Sequence, residues 1–217
     1  MSCCAGKGCV EFFDERVARR DARRYVRKGL DRNARSIVDR LARGGLEGKT
    51  VLEVGGGVGA IQLELLRAGA AHAVNVELSP AYERYAAELL HVSGLGGRAE
   101  RRILDFAEGA EDVESADVVV LHRVVCCYPD YEALVGAAAG HAREQLLLTF
   151  PRDAWWVRIG LGAINRLHRI RRNPFRVYLH SPAAIVDVAT SHGLETAARE
   201  RGRFWVLVGF ERSTRPA

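Results

Sequence analysis

Residues 50–66 read TVLEVGGGVGAIQLELL. The stretch opens as an apolar strand, TVLEV, and turns through Gly55, Gly56, Gly57 and Gly59. It leaves as a helix, AIQLELLRAG. Glycine is needed at a strand–helix turn where side chains would block a ligand or where the backbone must take positive φ. The helix that follows presents free amides at its N-terminus. Four glycines in a plain connection would lose backbone entropy without a packing return, so the turn is expected to hold a ligand against bare backbone.

Outward from this turn, strands and helices alternate. HAVNVEL precedes the helical SPAYERYAAELLHVSG, in which Ser79 and Pro80 make a cap and first turn. AERRILDF follows as a short strand. ADVVVLHR is rich in β-branched residues and suited to burial on both faces. A helix, YEALVGAAAGHA, leads to the strand EQLLLTF, which stops at Pro151. After a helical stretch from Ala154 to Arg172 come the helix SPAAIVDVATSHG and two last strands, ETAARERG and RFWVLVGFER, joined tightly at Gly202. Repeated strand–helix units imply an α/β fold with a doubly wound, mostly parallel, seven-stranded sheet. The tight final turn makes the last strand antiparallel.

Before the glycine turn, apolar positions from Val17 to Ala42 recur at helical spacing among many arginines, with a break near Gly29. Residues 1–15 are expected to be mobile or loosely docked. The reading therefore divides the chain into a helical lead or lid, 1–45, and one domain, 46–217, carrying an acceptor-side insert at 152–180.

The chain has 217 residues, 48% of them hydrophobic and 27% charged, with a net charge of +5. No apolar run reaches the ~20 residues that span a bilayer, and the N-terminus lacks the apolar core of a secretory signal. A cytoplasmic protein without a membrane partner is expected. The basic residues concentrate at 16–43 and 166–176, where they could meet an anionic substrate. No nucleic-acid-binding signature accompanies them, so a nucleic-acid partner is not expected. The five cysteines, Cys3, Cys4, Cys9, Cys126 and Cys127, match neither a disulfide framework nor a zinc spacing, and no metal is expected. Oligomeric state is not legible.

Two ligand classes fit the glycines. Gly55-x-Gly57-x-x-Ala60 satisfies the dinucleotide fingerprint. Glu53-x-Gly55-x-Gly57-x-Gly59 resembles motif I of class I S-adenosylmethionine-dependent methyltransferases. Glu53 favours the second, because a carboxylate repels a diphosphate and attracts a sulfonium ligand with an ammonium group. Glu77 ends the second strand, where its oxygens can accept both ribose hydroxyls. Asp105 and Phe106 close the third strand. The resemblance implies that Asp105 accepts from the adenine amino group, that Phe106 packs on the ring, and that Gly56, Leu78 and His122 also touch the cofactor. It further implies the antiparallel last strand of a Rossmann-like methyltransferase sheet.

The likeness extends over most of the chain. EFFDERVARRDARRYVRKGLDRNARSIVDRL, GKTVLEVGGGVGA, DVVVLHRVVCCYPDYEALV and LLLTFPRDAWW together resemble the magnesium-protoporphyrin O-methyltransferases and their relatives. The chain departs from that pattern after the fourth strand. His122-Arg123 opens a loop that an aspartate opens there, and Cys126-Cys127 precede Tyr128 where the family has a histidine. The resemblance implies a methyltransferase with a different acceptor, using S-adenosylmethionine and releasing S-adenosylhomocysteine. Methyl transfer is an in-line displacement that needs alignment and exclusion of water.

His122 and Tyr128 are the candidate catalytic residues: His122 as general base, with a suitable unperturbed pKa, and Tyr128 to orient an acceptor oxygen. Tyr25, Arg123, Trp155, Trp156 and Tyr178 are the candidate acceptor contacts. A small-molecule acceptor methylated at oxygen or nitrogen is expected. The alternatives are a thiol, metalloid or macromolecular substrate, or a cofactor-binding protein without turnover.

Overall fold

The computed structural model describes residues 5–213. Three helices lead: α1 (Ala5–Phe12), α2 (Glu15–Lys28) and α3 (Arg32–Arg43). The alternating units follow as β1 (Thr50–Val54), α4 (Ala60–Arg67), β2 (His72–Glu77), α5 (Glu83–Ser93), β3 (Ala99–Ile103), β4 (Ala116–His122), α6 (Tyr131–His141) and β5 (Ala142–Pro151). The chain closes with α7 (Trp155–Ile170), α8 (Pro182–Ser191), β6 (Leu194–Arg201) and β7 (Trp205–Arg212). The seven strands form one sheet in the order β3-β2-β1-β4-β5-β7-β6. β1 to β5 pair in parallel, and β7 inserts antiparallel between β5 and β6. The expected sheet and its antiparallel last strand are both present.

The run of β-branched residues in β4 behaves as its composition requires. Val118 and Val120 face α3 and α4, packing with Ile37, Leu41, Ile61 and Leu65. Val119 and Leu121 face α6 and α8, packing with Leu134, Val135, Ile185 and Ala189. Both layers are apolar, so Val118 to Leu121 carry no polar alternation. The side chain of Gln62 crosses from α4 to the sheet, donating to the carbonyls of Ala73 (2.8 Å) and Glu100 (3.2 Å). Such buried ties matter because an orphaned carbonyl costs about 1–3 kcal/mol.

The helical lead expected over residues 1–45 comprises α1, α2 and α3. α3 is part of the core layer against β1 and α4, whereas α2 packs over the edge of the sheet, where Ala18 and Ala22 meet Val58 and Tyr82. Gly29 breaks the two helices, with φ 67 and its amide donating to the carbonyl of Tyr25. Asp14 and Asp31 cap α2 and α3 through their side chains. Of the segment expected to be mobile or loosely docked, the described residues from Ala5 onward are docked. Phe12 stacks on Phe175 at 4.2 Å, the carbonyl of Phe13 accepts from Ser79 Oγ at 2.7 Å, and Cys9 is buried. Its aromatic pair provides apolar area that the charge-rich sequence around it conceals. Cys3 and Cys4 lie outside the described residues.

Candidate active site

β1 and β4 are neighbours whose following segments leave toward opposite faces, so a crevice opens at the carboxyl edge of the sheet. The glycine turn lies in it. Gly59 caps α4 in the left-handed region, φ 74. Gly56 must be glycine for a different reason: a β-carbon there would run into the Asn75 amide and the Glu53 carboxyl. Glu53 is 2% exposed, with Oε2 accepting from the Gln62 amide at 3.0 Å and from Asn75 Nδ2 at 3.3 Å. Burial pushes its carboxyl up to about 8, against the Gln62 amide and the Arg101 charge.

Glu77 holds the turn from the other side. Its Oε2 accepts from the Gly57 amide at 2.8 Å, and its Oε1 from the amides of Leu78 and Ser79, both at 2.9 Å. Burial raises this carboxyl's pKa despite those three donors. Asp105 follows β3, accepting from the Ala107 amide (3.1 Å) and the Tyr128 hydroxyl (3.0 Å). Between Glu77 and Asp105 lies a cavity of about 110 Å³ with apolar walls that include Val54, Val76, Leu104, Phe106 and Leu134.

A second cavity, about 550 Å³, opens beside it. The two share Phe13, Gly55, Gly57, Tyr82, Arg123 and Cys127 as lining residues. Its walls include Arg20, Arg24 and Tyr25 of α2, Leu161 and Ile164 of α7, and Phe204 and Trp205. His122 ends β4 at this cavity. Its Nδ1 lies 2.9 Å from Thr149 Oγ1, an oxygen that also accepts the Arg123 amide at 2.9 Å. Thr149 Oγ1 can donate to Nδ1 or accept from it, and the Asp31 carboxylate facing Nε2 favours the arrangement with the ring proton on Nε2. Nε2 is buried without a hydrogen-bond partner, 3.6 Å from Asp31 Oδ2. Burial lowers the imidazole's pKa, against Asp31, so the ring is neutral at pH 7.

Arg123 follows with φ 63, its guanidinium 3.0 Å from Asp31 Oδ2 and stacked over Trp205 at 4.8 Å. Burial works against the Asp31 charge, but His122 and Arg123 outweigh it and hold the carboxyl well below the usual range.

The sequence profile of the methyltransferase domain family matches residues 22–202. The fold is similar to magnesium protoporphyrin IX methyltransferase from Synechocystis PCC 6803 solved with bound S-adenosylhomocysteine: TM-score 0.77, 21% identity, covering 96% of this chain and 100% of that one. The same protein solved with S-adenosylmethionine superposes with TM-score 0.72 at 20% identity, over 96% and 97% of the two chains. The chain belongs to the class I S-adenosylmethionine-dependent methyltransferases.

An O-methyltransferase family protein from Burkholderia thailandensis is also similar: 24% identity, TM-score 0.66, 84% of this chain and 57% of that one. A family 2 O-methyltransferase from Planctomyces limnophilus, in complex with apigenin, gives 17% identity and TM-score 0.62 over 86% and 63%. No curated protein matches.

The methyltransferase's smaller cavity suits an adenosyl group. It pairs apolar walls with carboxylates at two ends, under a glycine turn that side chains would fill. Glu53, Gly55, Gly56, Gly57, Glu77, Leu78, Asp105, Phe106 and His122 all line one of the two cavities, and Gly59 starts the helix beneath them. Tyr128 sits at the smaller cavity, its hydroxyl on Asp105, and does not line the larger one where an acceptor oxygen was expected. Tyr25 lines the larger cavity, but its hydroxyl is engaged by Glu64 (2.7 Å) and Arg67 (3.0 Å).

The expected aromatic wall is built from other residues. Trp155 is 73% exposed, because α7 buries Val157 and Leu161 and so turns Trp155 outward. Trp156 packs beside Phe204, and Tyr178 stacks on His180 with its amide on the Cys126 carbonyl. None of the three lines either cavity. Phe12, Phe13, Phe204 and Trp205 take their place.

Asp31 and Asp21, which holds the Tyr82 hydroxyl at 3.1 Å, were not legible as site residues. A capping signature was the only local sign of Asp31. Cys126 and Cys127 have sulfurs 3.8 Å apart, and Cys9 donates to the Cys127 carbonyl. Burial pushes the Cys9 thiol up to about 11. Among the described residues, no group of three or more His, Cys, Asp or Glu is placed to hold a metal.

Replacing Glu77 with Ala should speed amide exchange at Gly57, Leu78 and Ser79 and weaken S-adenosylmethionine binding by roughly ten- to a hundredfold, one lost charge-assisted bond. Hydrogen exchange and calorimetry read both effects. Unchanged affinity would remove Glu77 from the cofactor site.

Proposed function

We propose that this enzyme methylates a small molecule at oxygen or nitrogen. The observation that carries the reading is the larger cavity. Its volume of about 550 Å³ falls in the range of small-ligand sites, ~300–1,000 Å³, and it adjoins the cofactor cavity through shared residues. Its aromatic and aliphatic walls suit an apolar body, and Arg20, Arg24 and Arg123 suit an anionic or strongly polar handle.

S-adenosylmethionine supplies an electrophilic methyl on its sulfonium. In this reading the chain's own groups divide the remaining work. Asp105 and Phe106 hold the adenine end, and Glu77 accepts from a ribose hydroxyl at the one Oε2 lone pair that its three amide donors leave free. Glu53, protonated in the free enzyme at neutral pH, ionises when an ammonium group lies beside it. The Gly55–Gly57 backbone keeps side chains out of the junction. α1 and α2 cover the site and exclude water. His122, neutral and carrying its proton on Nε2, donates to the acceptor or orients it. That tautomer presents no lone pair at Nε2, so in this reading the acceptor is already ionised or gives its proton to solvent, and His122 acts as donor in place of the general base expected from sequence. Arg123, pinned between Asp31 and Trp205, fixes the acceptor's polar end.

Incubation with methyl-labelled S-adenosylmethionine and a metabolite extract, or with protein and RNA from the same lysate, should place label in the small-molecule fraction. Label confined to protein or RNA would contradict the reading.

A donor role also fixes the pH behaviour of His122 variants. His122→Asn keeps a donor and should retain most turnover, whereas His122→Ala should lose about tenfold in kcat/KM, near 1.4 kcal/mol. Both should show the wild-type acid limb in their pH–rate profiles. An acid limb that disappears in His122→Asn would restore the imidazole as base.

A further inference from the structure

Nine large apolar side chains are exposed among the described residues, and five of them stand on one helix, α7: Trp155, Ile159, Ile164, Leu167 and Ile170. Trp155 is 73% exposed, Ile159 65% and Ile170 71%. At helical spacing, Trp155, Ile159, Ala163, Leu167 and Ile170 fall within one sector of about 120°. The opposite side of the helix, with Val157 and Leu161, is buried against the domain. The cofactor site makes no use of the outward sector. An apolar face this concentrated marks an interaction surface.

Arg166 falls within that sector and further cations flank it. Arg158 is paired with Asp153 at 2.8 Å, but Arg166, Arg169, Arg171 and Arg172 are exposed and have no carboxylate partner among the described residues. Across the mouth of the larger cavity, α2 presents a further exposed row, Arg19, Arg23 and Arg27.

Charge decides the occupant. A second copy of this chain would set the same arginines against themselves, with no acid on the face to meet them. An anionic bilayer complements both parts: headgroup phosphates take the arginines, and the interface takes Trp155 and the aliphatic stripe. The geometry points to α7 as a peripheral docking surface for anionic lipid membranes, lying in the interface with the mouth of the larger cavity beside the bilayer. No helix among the described residues is long and apolar enough to cross a membrane, so the contact is superficial. Ile164, exposed on the same helix between the stripe and the buried side, also lines the cavity wall, which places the docked surface next to the larger cavity.

Co-sedimentation of the full chain with vesicles tests this. The protein should bind phosphatidylcholine vesicles containing phosphatidylglycerol, ignore pure phosphatidylcholine, and dissociate at high salt. Ile159→Ser with Ile170→Ser should abolish binding while leaving the melting temperature and S-adenosylmethionine affinity unchanged. Arg169→Gln and Arg171→Gln should each weaken it about fivefold. Tryptophan emission should shift to the blue on binding, and less so in Trp155→Phe. No binding to anionic vesicles, equal binding to neutral ones, or full binding by the double serine variant would overturn the proposal. So would a dimer in sedimentation velocity that the serine variant converts to monomer, which would give the face to a second copy. The lipid-charge and salt dependence of the wild type stands as a test even if a variant misfolds.

Discussion

A single carboxylate, Glu77, fixes the relation between the glycine turn and the second strand, and the smaller cavity takes its shape from that. Three backbone amides from two segments converge on it. Each such bond to a charged group is worth about 1.5–3 kcal/mol, and desolvating the carboxylate costs several kcal/mol. The two nearly cancel, and the raised pKa indicates that burial retains the upper hand. The arrangement therefore contributes geometry more than stability. It sets where Gly57 lies, and so where the open space between β1, β2 and β3 ends.

A second anchor acts across the site. Asp31 caps α3 with one oxygen and meets Arg123 and His122 with the other. The break between α2 and α3 is thereby tied to the end of β4. The α2–α3 break and the loop that leaves β4 share one partly buried charge cluster, in which Arg123 Nε and His122 Nε2 are buried without a hydrogen-bond partner. Unpaired buried donors are expensive in a plain core. In a substrate cavity they are the groups that a polar acceptor would satisfy.

Much of this was legible in the sequence because its causes are local. Alternation of strand and helix follows from periodicity, and the glycines announce a turn by their conformational demands. Glu53, Glu77 and Asp105 stand at the ends of three successive strands, where the parallel topology brings them together. The tight Gly202 turn announced the antiparallel last strand. What stayed hidden depends on long-range choices. Trp155 and Trp156 sit in the right segment, but which face of α7 is buried is settled by Val157 and Leu161 against the domain, and only the folded chain fixes that. Asp31 and Trp205 are separated from Arg123 by most of a domain in sequence. The N-terminal Phe12 and Phe13 were unreadable as anchors because their partner, Phe175, belongs to a distant loop.

Methyl transfer as proposed requires the two adjoining cavities to form one reaction site, with cofactor in the smaller and acceptor in the larger. A crystal structure with S-adenosylhomocysteine tests this most directly. It should place the adenine between Phe106 and the apolar wall near Asp105, with the sulfur at the Gly55–Cys127 junction and open space beyond it toward His122 and Arg123. A ligand seated elsewhere, or a sulfur facing away from the larger cavity, would contradict it.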